Sequence, residues 1–167
     1  MELAYILNDI LKIMDMKKFN SITNILDFAI KTEQEAINFY SELFKKTSND
    51  DMKEAYKEFI LEEQSHKDKL LKLKSEGKLS GIDESKISDL KISDYLTKQE
   101  PHENMDYTES LVIAMDKEKA AYKLYSDLAK ITENKELKKI FKFLATEEAK
   151  HKLKFETEYD EIILKDN

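Results

Sequence analysis

Four glutamates and two histidines carry the most chemistry in this chain. Glu63 and His66 stand three residues apart, as do Glu148 and His151, and Glu33 and Glu118 each precede one such pair. Residues three apart share a helix face, so each E-x-x-H can offer a carboxylate and an imidazole to one ion. All six fall where a helical stripe would otherwise carry leucine. An ionised carboxylate buried without a partner costs several kcal/mol even after relaxation. Four of them with two imidazoles in one core would leave no stable fold without cations. Four carboxylates carry −4 and two divalent ions +4, which makes the cluster neutral.

The remaining residues define the elements that position these six. Displaced by 85 positions, residues 23–69 fall on 108–154 without a gap, and 18 of the 47 positions are identical. The shared set includes Ala36/Ala121, Tyr40/Tyr125, Glu62/Glu147 and His66/His151. A long period present only twice is a duplicated hairpin rather than a solenoid. Helices are expected over Ser21–Lys46, Asp50–Ser75, Tyr107–Ile131 and Asn134–Leu164. Their inward stripes read Leu26, Ile30, Glu33, Ile37, Tyr40, Phe44; Met52, Tyr56, Phe59, Glu63, His66, Leu70, Leu73; Leu111, Met115, Glu118, Tyr122, Tyr125, Ala129; and Leu137, Phe141, Leu144, Glu148, His151, Phe155.

Short polar links, Thr47–Asp50 and Thr132–Asn134, make helices one and two, and three and four, antiparallel neighbours. The stretch Glu76–Asp106, which holds both glycines and the only proline, can travel the length of a helix of about 38 Å. The expected architecture is therefore all-α: a ferritin-like four-helix bundle over residues 21–167, with hairpins 21–76 and 106–161 and a long crossover between its second and third helices. Residues 1–20 space Leu3, Ile6, Leu7, Ile10, Leu11 and Met14 as a short amphipathic N-terminal helix.

Composition removes rival chemistries. The 167 residues contain no cysteine, so thiolate sites and cysteine nucleophiles are excluded. Two glycines leave no phosphate-binding loop. A net charge of −7 argues against nucleic acid as partner. No run approaches a membrane span, and Met1–Lys18 lacks a secretory pattern, so a soluble cytoplasmic protein is expected. Oxygen and imidazole donors without thiolate fit iron or manganese better than copper(I), and zinc can occupy such a site opportunistically. One glutamate from each of two helices plus E-x-x-H from each of the others is a ligand set of di-iron and di-manganese carboxylate bundles. Glu62, Glu147 and Glu35 are expected on solvated faces, His102 in the crossover, Met52 and Met115 in the core. Tyr40 and Tyr125 are either core aromatics or donors that steady a ligand carboxylate.

The chain resembles the rubrerythrin family in Glu33-x6-Tyr40, Glu118-x6-Tyr125, Glu62-Glu63-x-x-His66, Glu147-Glu148-x-x-His151 and the crossover string Leu90–Leu96. The resemblance implies a carboxylate-bridged di-iron centre that reacts with hydrogen peroxide or dioxygen. By position, Glu33 and Glu118 are then terminal carboxylates, Glu63 and Glu148 bridge, and His66 and His151 are terminal imidazoles. Two features depart from the family's two-domain members. Their cysteine-rich rubredoxin domain has no counterpart here, so electrons are expected from a separate rubredoxin-like or flavin reductase donor, or from Fe(II). Their extra carboxylate one turn beyond the third-helix ligand is replaced by Ala121, and its repeat mate is Ala36. The expected function is peroxide reduction in oxidative stress, with ferroxidase or iron handling as alternative and a non-catalytic helical module as a third reading. A homodimer is permitted.

Overall fold

The computed structural model describes residues 18–165. The expected N-terminal helix over 1–20 lies almost wholly outside the described residues. Four long helices form where expected: α1 (Ile22–Lys46), α2 (Asp50–Glu76), α4 (Tyr107–Ile131) and α5 (Lys135–Lys165), with the short α3 (Glu84–Ile87) and a 3-10 turn (Ile92–Tyr95) in the crossover. No strand occurs among the described residues. No described helix is long and apolar enough to cross a membrane.

Capping side chains set the boundaries, and they repeat with the same 85-residue period. Ser21 Oγ accepts from Asn24 N at 3.1 Å, and its mate Asp106 forms a full capping box with Glu109. Asn49 Oδ1 accepts from Met52 N, and Asn134 Oδ1 from Leu137 N, both at 3.1 Å. Each bond satisfies an N–H that the helix itself cannot. Ser21 and Asn134 thus stand just outside the helices they were expected to begin. Gly77 (φ +62°) ends α2 in the left-handed conformation that glycine adopts without strain.

α1 packs against α2, and α4 against α5, as two hairpins. Side-chain bonds from Tyr40 to Glu118 and from Tyr125 to Glu33 show that α1 and α4 run antiparallel. Contacts from Asn49 to Glu158, Phe59 to His151 and His66 to Phe143 show the same of α2 and α5. The apolar core forms two clusters. One gathers Leu26, Leu70, Leu73, Tyr125, Phe141 and Leu144; the other gathers Tyr40, Tyr56, Phe59, Leu111 and Phe155. All six chemistry-bearing residues are buried yet belong to neither cluster.

The crossover is held to the hairpins rather than hanging free. Glu133 N and Asn134 N donate to Gly81 O, and Asp83 N donates to Ile131 O. Gly81 has φ +84°, and a Cβ there would stand 2.9 Å from Asn134, so both conformation and contact require glycine. Further on, Tyr95 donates to Asp127 at 3.1 Å and Lys98 N to Asp116 at 2.6 Å, pinning the strap along α4. One inward assignment fails: Tyr122 is 46% exposed. The buried face of α4 turns toward Leu124 and Tyr125 instead.

Candidate metal centre

Each long helix contributes from its buried stripe: Glu33 from α1, Glu63 and His66 from α2, Glu118 from α4, Glu148 and His151 from α5. None exceeds 3% exposure. Their ligand atoms form two groups, Glu33–Glu63–His66–Glu148 and Glu63–Glu118–Glu148–His151, each with all atoms within 4.8 Å of one another. Glu63 and Glu148 belong to both. The repeat operation, which exchanges Glu33 with Glu118, Glu63 with Glu148 and His66 with His151, therefore exchanges the two groups.

Each imidazole faces more carboxylate oxygens than it can serve. His66 Nδ1 lies 3.0 Å from Glu63, 3.1 Å from Glu148 and 3.8 Å from Glu33. His151 Nδ1 lies 3.0 Å from Glu63, 3.6 Å from Glu148 and 3.7 Å from Glu118. One ring nitrogen carries at most one proton. Glu148 Oε1 accordingly has no hydrogen-bond partner among the described residues despite its proximity to His66. A cation between the donors takes a lone pair from every one of them, which a single proton cannot do. The donor set thus fits two oxygen- and nitrogen-loving divalent ions.

Titration behaviour reflects the same crowding. Burial, then the charges of Glu148 and Glu63, hold Glu33 well above the ordinary carboxylate range. Burial and the charges of Glu63 and Glu118 do the same to Glu148. Burial also pushes Glu63 upward, but hydrogen bonds with His151 and His66 outweigh it and bring Glu63 below its ordinary value. Burial opposes the charged form of both histidines, yet Glu63 on His66, and Glu118, Glu148 and Glu63 on His151, raise them above it. Without metal the cluster holds protons where cations would sit.

Tyr40 and Tyr125 join the centre across the bundle. Tyr40 on α1 donates to Glu118 on α4, and Tyr125 on α4 donates to Glu33 on α1. Burial, then the charges of Glu118 and Glu33 respectively, push both phenols well above their usual range, so each keeps its proton. Of the three acids expected on solvated faces, Glu35 stays exposed, while Glu62 and Glu147 make contacts that the expectation did not include. Glu62 is 45% exposed but places Oε2 2.5 Å from His151 Nε2, so it orients that ring from behind. Its mate Glu147 is only 14% exposed and bonds Lys150 at 2.7 Å. The duplicated Glu-Glu pair at 62–63 and 147–148 was the available signal. His102 is exposed in the crossover, Met52 is buried, and Met115 packs partly buried against the core.

A cavity of about 380 Å³ opens between α1 and α4 onto Glu33, Glu63, Glu118 and Glu148, while neither histidine lines it. Ala36, Ala120 and Ala121 leave its walls open, and Tyr95, Leu96 and Thr97 of the crossover cover it. The crossover thus contributes to access, a role that its polar sequence did not announce.

The family model for rubrerythrin matches residues 24–159. No curated protein matches the chain. Among solved structures, "Hypothetical Protein Pfu-1136390-001" from Pyrococcus furiosus is similar in fold, with TM-score 0.64 and 24% identity over 84% of this chain and 89% of its own.

Proposed function

Because the chain belongs to the rubrerythrin family, we propose that it is a di-iron carboxylate protein that reduces hydrogen peroxide. The observation that carries this reading is the pair of buried four-ligand groups sharing Glu63 and Glu148. Glu33 and His66 would complete one iron site, Glu118 and His151 the other. When bound, two ferrous ions would supply the two electrons that, with two protons from solvent, reduce peroxide to two waters.

The chain's own residues would govern everything else. Glu63 and Glu148, common to both groups, would hold both ions and, with Glu33 and Glu118, balance their charge. Tyr125 and Tyr40 each fix one oxygen of Glu33 and Glu118, leaving the other free to bind metal. Glu62 holds the His151 ring by its outer nitrogen. Substrate would enter from the carboxylate side through the cavity between α1 and α4, which all four glutamates line and neither histidine does. The 167 residues hold no cysteine, so electrons reach the centre from a donor outside them.

Anaerobic Fe(II) titration of metal-stripped protein tests this, with peroxide and dioxygen then added to separate samples. Two irons per chain and faster oxidation by peroxide are expected. Equal or faster oxidation by dioxygen selects a ferroxidase, a reading favoured by the symmetric set that Ala36 and Ala121 leave. Absence of stoichiometric binding overturns both.

A further inference from the structure

Tyr40 does not end at the centre. Its ring stacks on Tyr56 (centroids 6.3 Å apart, 16° between planes), and both rings contact Phe155. The Tyr56 hydroxyl is buried, and no hydrogen bond of normal geometry reaches it among the described residues. It faces Tyr107, with which it lines a cavity of about 200 Å³ that also touches Lys46, Met105 and Ser110. The half-buried Tyr107 donates to Glu158 Oε1 at 3.0 Å, and Asn49 Nδ2 donates to the same oxygen at 2.9 Å. Glu158 is 8% exposed and has no cation among these partners.

The duplication supplies an internal control. The mates of Tyr56, Tyr107 and Glu158 are Phe141, Ile22 and Leu73. Asn134, the mate of Asn49, caps its helix at the same 3.1 Å, and the position that matches Glu158 there is Leu73. Helix capping and packing therefore do not require these three polar groups. Burying a carboxylate that only neutral donors reach among its partners is costly, as is burying a hydroxyl with no partner among the described residues. The mate positions at the other end of the fold avoid both.

We propose that Tyr40, Tyr56 and Tyr107 form a one-electron relay from the metal centre toward the surface, with Glu158 as the proton acceptor. The proposal rests on the peroxidase reading. Peroxide cleavage requires two electrons and two protons to give two waters, and both of those protons come from solvent. When the centre has only one electron to give, the second comes from Tyr107. Its O–H bond breaks, the electron passes through Tyr56 and Tyr40 to the centre, and the proton moves to Glu158. The phenoxyl radical is then restored by one electron from a small external reductant, such as a thiol, entering the cavity beside Tyr107. The thiol leaves as a thiyl radical and gives its proton to solvent, while Glu158 returns the proton to Tyr107.

The test uses iron-loaded protein oxidised by one electron per centre and mixed anaerobically with one equivalent of hydrogen peroxide. Freeze-quench EPR follows the phenoxyl signal, and a nitroso spin trap with peptide mass spectrometry locates it. A phenoxyl signal with the adduct on Tyr107 is expected. Tyr107→Phe should lose that adduct, and Glu158→Leu should diminish it. Tyr122→Phe, at an exposed tyrosine off this path, should leave it unchanged. Thermal melts of the metal-free variants separate relay from packing, since a purely structural role would move the melt and not the adduct. Iron oxidation by peroxide with no phenoxyl signal, or with adducts unaltered by Tyr107→Phe, overturns the relay and leaves the peroxidase reading standing. Iron that peroxide does not oxidise overturns both.

Discussion

The two ends of this bundle descend from one sequence pattern yet have become chemically different. Around Tyr125 the mates are Leu70, Phe141 and Leu144; around Tyr40 they are Phe155, Tyr56 and Phe59. One end is largely aliphatic and closes with Ile22 and Leu73. The other is aromatic and closes with Tyr107 and Glu158. Between them the ligand groups keep the repeat almost unchanged. What both halves must supply to a shared centre is held constant, while what surrounds it is free to change, because a core tolerates apolar exchange when volume is kept.

The largest expected effect tests that shared middle. Glu63→Ala and Glu148→Ala each remove a donor common to both groups. Both should lose binding of at least one ion and, with it, the stabilisation of about 2.7 kcal/mol that a ligand gives at a hundred times its Kd. Equal losses in metal stoichiometry and melting temperature would support a symmetric centre. A variant that keeps both ions would break the comparison.

A pH series sharpens it next. Glu33 and Glu148 are raised above the ordinary 4.5 in the folded state, and His66 and His151 above 6.5. In metal-free protein their contribution is full below those ordinary values and is lost as pH rises through the folded ones. Glu63, being lowered, contributes oppositely: its share is present above 4.5 and lost as pH falls. Above pH 4.5 Glu63 is ionised in both states, and only the raised groups respond. Metal-free stability should therefore fall as pH rises from 4.5, and more steeply above 6.5 where the histidines join. Mn(II) replaces the protons, so the melting-temperature gain on adding it should grow over the same interval. A gain that shrinks would contradict the assignment.

Smaller effects come from exchanging the ends. Phe141→Tyr places a hydroxyl among leucines with Leu73 and Ile22 in the mate positions, and should cost about 1–3 kcal/mol in urea unfolding. Tyr56→Phe removes a hydroxyl with no hydrogen-bond partner among the described residues, and should change stability by no more than about 0.5 kcal/mol. Equal costs at the two positions would erase the difference between the ends.

The helices and the inward glutamates were legible because a 3.6-residue period and buried charge are both properties of sequence alone. Tyr122 misled because spacing defines a stripe but not its width, and Leu124 and Tyr125 already fill the space that α4 turns inward. Glu62 points about 100° from Glu63 on a helical wheel, yet α5 crosses that shoulder and brings His151 to it. Only the antiparallel packing of α2 on α5 creates that contact. Tyr107 and Glu158 are 51 residues apart, and no local pattern joins them. The lining of the cavity by Tyr95 and Leu96 likewise depends on the path of the strap.

The crossover has a consequence for descent. Each hairpin carries one lone glutamate and one E-x-x-H, so two copies of a single hairpin, paired about a twofold axis, would supply the same six side chains. In such an ancestor every substitution strikes both ends at once, and a polar group useful at one is imposed on the other. Joining the copies through residues 77–106 gave each half its own inheritance. Tyr56 and Phe141 record that independence at one pair of positions, and Glu158 and Leu73 at another.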